Sequence, residues 1–160
     1  MRSYKLAMEE YKNLLLKGDI QFAYRGIISF FSRLRIYLKK KYPTNIVSSV
    51  YPGYMDMTYF AFTPIEIHNK NMKIAIVFLH EKNIFELWLC ASNRKIQVEY
   101  IEFFKKLKVP YKISRVAPGV DSIIEKTIFQ SLDFDNSKEI IREIEAQLMD
   151  FCREIESFLS

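Results

Sequence analysis

Met72-Lys73-Ile74-Ala75-Ile76-Val77-Phe78-Leu79-His80-Glu81, then Lys82-Asn83, then Ile84-Phe85-Glu86-Leu87-Trp88-Leu89-Cys90-Ala91, is the stretch whose reading decides the fold. Both runs are apolar, β-branched and aromatic, and the polar pair between them reads as a turn. The segment therefore predicts an antiparallel hairpin over 72–81 and 84–91. A two- or four-residue loop pairs His80 with Phe85, Phe78 with Leu87 and Ile76 with Leu89, an apolar face that belongs in a core. Side chains alternate across a strand, so the opposite face carries Ala75, Val77 and Leu79 beside Glu86, Trp88 and Cys90. A three-residue loop would invert the two faces.

Upstream, a period of two persists back to Asn45 and predicts strands over 45–51 and 54–62, flanking Tyr51-Pro52-Gly53-Tyr54. Pro-Gly suits a type II turn, whose twist fits a two-residue hairpin poorly, so either the loop is longer or the first strand is short. Residues 63–71 form a connection with a helical turn after Pro64. Before them, residues 4–17 and 20–41 have helical spacing. Gly18 is placed to end the first helix in a left-handed cap and Asp19 to cap the second, giving an N-terminal helical hairpin closed by Pro43.

Downstream, Ser92 or Asn93 caps a helix over 94–108 that Pro110 stops, and Tyr111–Val116 reads as a short strand. Residues 121–130 read as a short helix. In the last helix, Asn136 and Glu139 form a capping-box-like start, and Ile140, Ile144, Leu148, Phe151, Cys152, Ile155 and Phe158 keep helical spacing. The expected class is α+β: an antiparallel sheet of four to five strands, with the N-terminal hairpin and C-terminal helices packed on it.

Composition agrees with one globular domain over 1–160. The 160 residues are 49% hydrophobic and 15% aromatic with four Gly and five Pro, too apolar and too poor in breakers for disorder. A domain of this size buries about 70% of its unfolded surface. No apolar run approaches the roughly 18 to 20 residues that span a bilayer, and none follows Met1-Arg2-Ser3, so neither a membrane helix nor a secretory signal is expected. Cys90 and Cys152 read as buried free thiols of a reducing cytoplasm. Charge is polarised: residues 1–43 carry ten bases against three acids, and residues 121–160 four bases against ten acids. The two ends are expected to pack beside each other, an exposed basic face being the alternative.

For a site, alternation places Tyr54, Asp56 and Thr58 on the less buried face with Glu86 and Trp88. Arg94 and Gln97 then follow at the start of the next helix. Tyr54, Asp56, Glu86, Trp88 and Arg94 are thus the candidate ligand-binding set: two carboxylates, a guanidinium and two aromatics able to hold a small polar ligand, a peptide or a nucleotide. The plainer reading is solvated carboxylates and a core tryptophan, although Asp is disfavoured in strands and Asp56 asks for a reason.

Asp56 and Glu86 also suggest a divergent metal-dependent hydrolase or nuclease, but Glu86-Leu87-Trp88 lacks the lysine such a site uses. His68 and His80, the only histidines, do not supply ligands at zinc spacing. Glycine-rich phosphate loops and nucleophile elbows are absent, so no catalytic residue, metal or cofactor is expected. Arg33, Arg35, Lys39, Lys40 and Lys41 form a basic run at the end of the second helix. It complements the helix dipole, with polyanion binding as the alternative.

The segments 17–20 (Lys-Gly-Asp-Ile), 53–60 (Gly-Tyr-Met-Asp-Met-Thr-Tyr-Phe), 73–78, 85–89 with 93–95 (Asn-Arg-Lys), and 119–125 (Gly-Val-Asp-Ser-Ile-Ile-Glu) carry a likeness over nearly the whole chain. The chain resembles a family of small, uncharacterised bacterial proteins. The resemblance implies a one-domain bacterial protein and gives no residue a role. The expectation is a cytoplasmic, non-enzymatic domain that binds a small polar ligand or a protein, a homodimer being one arrangement. Nucleic-acid and membrane partners are not expected.

Overall fold

The computed structural model describes residues 1–129 and 133–160. The helices are α1 (Tyr4–Lys17), α2 (Asp19–Lys41), α3 (Ile65–His68), α4 (Arg94–Leu107) and α5 (Ser137–Leu159), and the strands β1 (Ile46–Val47), β2 (Met57–Thr63), β3 (Met72–Leu79), β4 (Ile84–Ala91), β5 (Lys112–Ile113) and β6 (Ser122–Phe129). The strands form one antiparallel sheet in the order β1-β2-β3-β4-β6-β5. The class is α+β as expected, with six strands rather than four or five.

The central hairpin has the predicted faces and a register displaced by two residues. Leu79 pairs with Ile84, Phe78 with Phe85 and Ile76 with Leu87, so His80-Glu81-Lys82-Asn83 is the loop, with Asn83 in the left-handed region. A two-residue shift keeps every side chain on its face. Ile74, Ile76, Phe78, Phe85, Leu87 and Leu89 accordingly pack in the main core. Around them lie Phe30, Phe31, Leu34 and Leu38 of α2, Ile101 and Phe104 of α4, and Ile140, Ile144, Leu148 and Phe151 of α5. Phe31 stacks on Phe85 and meets Phe60 edge-on, which locks α2 to the middle of the sheet.

Several local expectations are corrected. Gly18, left-handed as predicted, is both the C-cap of α1 and the N-cap of α2, so Asp19 is the first helical residue rather than the cap. The first expected strand shrinks to β1 plus a single bridge between Tyr51 and Tyr59, with a longer loop between. Gly53 requires that loop: its φ is positive, and a Cβ there would lie 1.8 Å from the Met57 carbonyl oxygen. The expected helix over 121–130 is strand β6 through Phe129, residue 130 lying outside the described residues. Asn136 makes no side-chain cap; a 3-10 turn, Phe134–Asn136, leads into α5. Asn93 does cap α4, accepting from the Ile96 N–H.

Both helices of the N-terminal hairpin form, but only α2 supplies core residues. α1 buries none of its side chains.

Candidate functional site

All the helices that contribute to the main core lie on one face of the sheet. The other face carries a small second cluster: Ala75, Val77 and Cys90 buried beneath Met57, Tyr59, Leu79 and Trp88. β3 places only Ala75 and Val77 between Tyr59 on β2 and Trp88 on β4, so two half-exposed aromatic side chains stand over a floor of small ones. Strands two apart lie about 10 Å from each other, which admits one planar group between the walls.

The resulting cavity is about 570 Å³. One end of it is charged, formed by Lys73, the α4 N-terminus at Asn93 and Arg94, and the loop Gly119-Val120-Asp121. Lys73 Nζ lies 6.0 Å from the Tyr59 ring centroid and only 3.9 Å from an Asp121 carboxylate oxygen. Lys73 and Asp121 are therefore loosely paired and still solvated. Burial pushes the Cys90 thiol well above its ordinary range, with the Asp121 charge adding to it, so this cysteine is an inert floor rather than a nucleophile.

The predicted set is only partly brought together. Trp88 and Arg94 line the cavity; Tyr54, Asp56 and Glu86 do not. Trp88 Nε1 donates to Glu86 Oε1 at 2.9 Å, and Thr127 Oγ1 donates to Glu86 Oε2 at 2.8 Å. Glu86 thus shares the open face as predicted, and it fixes the indole from two residues back along β4. Arg94 donates to the carbonyls of Ala117 and Val120, each at 3.0 Å, and to Gln97 Oε1. The buried Gln97 amide donates to Val120 and Ser122 carbonyls, so Arg94 and Gln97 clamp the cavity's third wall.

Tyr54 and Asp56 belong elsewhere. They lie in the loop before β2, where Asp56 Oδ1 accepts the Tyr54 N–H at 2.9 Å. That bond, with a second from the Met57 backbone, holds the Asp56 carboxyl below its usual range, so Asp56 is a turn-forming residue. Thr58 sits on the covered face opposite Phe78, completely buried. Its hydroxyl donates to the Pro52 carbonyl and so accepts from His80 Nε2. The open-face residues of β2 are instead Met57 and Tyr59. Phe60 and Phe62 carried that phase in the sequence, since large apolar residues at even positions must face the core.

Asp56 and Glu86 are each held by protein donors in different places. Among the described residues no three His, Cys, Asp or Glu gather as metal ligands.

The basic run is largely occupied within the fold. Arg33 donates to Ser137 Oγ and Arg35 to the Ser48 carbonyl. Lys41 pairs with Glu145 at 2.6 Å; Lys39 and Lys40 have no ion-pair partner among the described residues. The basic start and acidic end thus meet where α2 packs on α5. Glu145, 8% exposed, also accepts from Tyr37 at 2.5 Å and Tyr42 at 2.6 Å.

No helix is long and apolar enough to cross a membrane, among the described residues. A family model described as a domain of unknown function (DUF7000) matches residues 4–159. No curated protein and no solved structure matches the chain.

Proposed function

The chain belongs to this family of unknown function, and we propose that it is a non-enzymatic binding module of the reducing cytoplasm whose open sheet face takes a small planar anion. The observation that carries this reading is the uncovered cavity itself. Its aromatic walls, Tyr59 and Trp88, suit the faces of a planar ring, and its charged end suits a carboxylate or phosphate. Lys73 is free to exchange its distant Asp121 partner for a ligand oxygen at hydrogen-bond distance. The N-terminus of α4, a 14-residue helix, adds positive potential at the same end.

Trp88 is the only tryptophan of the chain, so its emission reports on the cavity without a label. Titration with 1-anilinonaphthalene-8-sulfonate, an anion with a planar naphthalene ring, is expected to quench Trp88 by energy transfer at one probe per chain. Lys73→Glu should weaken that binding about tenfold or more, the equivalent of roughly 1.4 kcal/mol, while leaving the melting temperature in place. If the probe binds Lys73→Glu and Tyr59→Ala as tightly as the wild type, the anion site is not here. Mass spectrometry of small molecules retained through gentle purification would then identify the natural ligand's class.

A further inference from the structure

The charged end of the open-face cavity holds both signs of charge. Lys73, Arg94 and Asp121 are the charged side chains that line it among the described residues. Arg94 already donates to the carbonyls of Ala117 and Val120 and to Gln97, so it braces the wall and adds a background of positive potential. Lys73 and Asp121 differ from it. Their side chains are 41% and 56% exposed, and at 3.9 Å their pair is too long for a hydrogen bond. The Asp121 carbonyl accepts the Ala91 N–H at 2.9 Å, which ties that residue to the end of β4 and keeps its side chain at this end of the cavity.

A simple anion uses such an end poorly. A carboxylate drawn to Lys73 Nζ comes beside the Asp121 carboxylate as well, and the like charges repel. An ammonium group next to the ligand's carboxylate removes that conflict. The carboxylate then meets Lys73, the ammonium meets Asp121, and every charge keeps an opposite partner. An α-amino acid carries those two groups on one carbon, as close together as the protein's own pair requires.

The aromatic walls determine the rest of the ligand. Lys73 Nζ lies 6.0 Å from the Tyr59 ring centroid, so a ring packed on Tyr59 is within a short linker of the charged pair, such as the single methylene of an aromatic amino acid. Both walls are held in place by the protein itself. The Tyr51 ring packs against Tyr59 with 5.0 Å between centroids, and Glu86 holds the Trp88 indole. Walls fixed in advance lower the ordering cost of binding, and a cavity of about 570 Å³ is of small-molecule size.

We infer that the ligand is a free aromatic α-amino acid, its ring between Tyr59 and Trp88, its carboxylate on Lys73 and its ammonium on Asp121, a reading that rests on the planar-anion site and narrows the anion to a zwitterion.

The test is isothermal titration calorimetry of the full chain with L-phenylalanine and two analogues: hydrocinnamate, which lacks the ammonium group, and phenethylamine, which lacks the carboxylate. L-Phenylalanine is expected to bind at one per chain, and each analogue about tenfold or more weakly than it. Asp121→Asn should weaken L-phenylalanine about tenfold while hydrocinnamate binds as before or more tightly. The melting temperature should not move, because the backbone bond to Ala91 remains. Lys73→Glu should weaken both carboxylates. Either analogue binding the wild type as tightly as L-phenylalanine overturns the amino-acid ligand, and so does an Asp121→Asn variant that binds L-phenylalanine like the wild type. Tight hydrocinnamate leaves the planar-anion site standing. If L-phenylalanine and hydrocinnamate both fail while 1-anilinonaphthalene-8-sulfonate binds, the amino acid alone is overturned; if all three fail, the planar-anion site falls with it.

Discussion

The Glu145 carboxylate lies between two phenols and an ammonium group that are 103 to 108 residues away in sequence for the phenols and on the same α2 end for the lysine. Burial alone would raise its pKa, but donation by Lys41, Tyr37 and Tyr42 holds it below the ordinary carboxylate range. The partners shift the other way: donation to Glu145 raises both Tyr42 and Lys41. A depressed carboxyl stabilises the fold above its unfolded pKa of about 4.3 and loses that contribution as pH falls through the folded value. The raised phenol and ammonium stabilise below about pH 10 and lose their contribution as pH rises. Glu145→Gln should therefore cost about 2 kcal/mol near neutrality. By urea denaturation, that difference is expected to be flat from about pH 5 to 9 and to shrink at both extremes. A difference unchanged at pH 3.5 would remove the ion from the account. None of this was legible beforehand, because helical spacing shows that position 145 faces inward near Ile144 and Leu148 but carries no sign of what meets it.

At the scale of elements, the sequence was most legible where packing is regular. The hairpin's two faces, the Gly18 junction and the Asn93 cap each follow from a local rule that the fold obeys. β6 was misread because its pairing with β4 is irregular. The register shifts between Phe85 and Glu86 and again between Leu89 and Cys90, and Ile123 and Ile124 are both completely buried. Two consecutive buried residues break strand alternation and, with Ile128, imitate a helix face.

The loop before β6 depends on α4 in the same non-local way. Gln97 is nearly fully buried and satisfies the carbonyls of Val120 and Ser122, so Gln97→Ala leaves both acceptors without that donor at a cost of about 1 to 3 kcal/mol. The segment Ser114–Asp121 should then open more readily. Trypsin is expected to cleave after the exposed Arg115 several-fold faster in Gln97→Ala than in the wild type under native conditions. Equal rates would mean that Arg94 alone holds the loop.

The whole molecule has two layers, helices on one side of the sheet and an open face on the other, and neighbouring residues of β4 experience opposite surroundings. Leu87 is completely buried under the helices. Trp88, the next residue, stands half-exposed on the open face over Ala75 and Cys90. Truncating Leu87 to alanine leaves a closed cavity that the surrounding core cannot fill, and the expected loss is about 3 to 4 kcal/mol. Truncating Trp88 removes a larger side chain, but water enters the space, so the cavity contribution is absent and only the transfer of its buried part is lost. The expected cost of Trp88→Ala is about 1 to 2 kcal/mol. Glu86 keeps its bond from Thr127 in that variant, so its carboxylate is not orphaned.

Chemical denaturation of both variants measures this asymmetry directly. A smaller loss at Trp88 than at Leu87 means the open face contributes little to holding the fold and is available for binding. Equal losses would show that something covers Trp88 even in the isolated chain, and the planar-anion site would have no room.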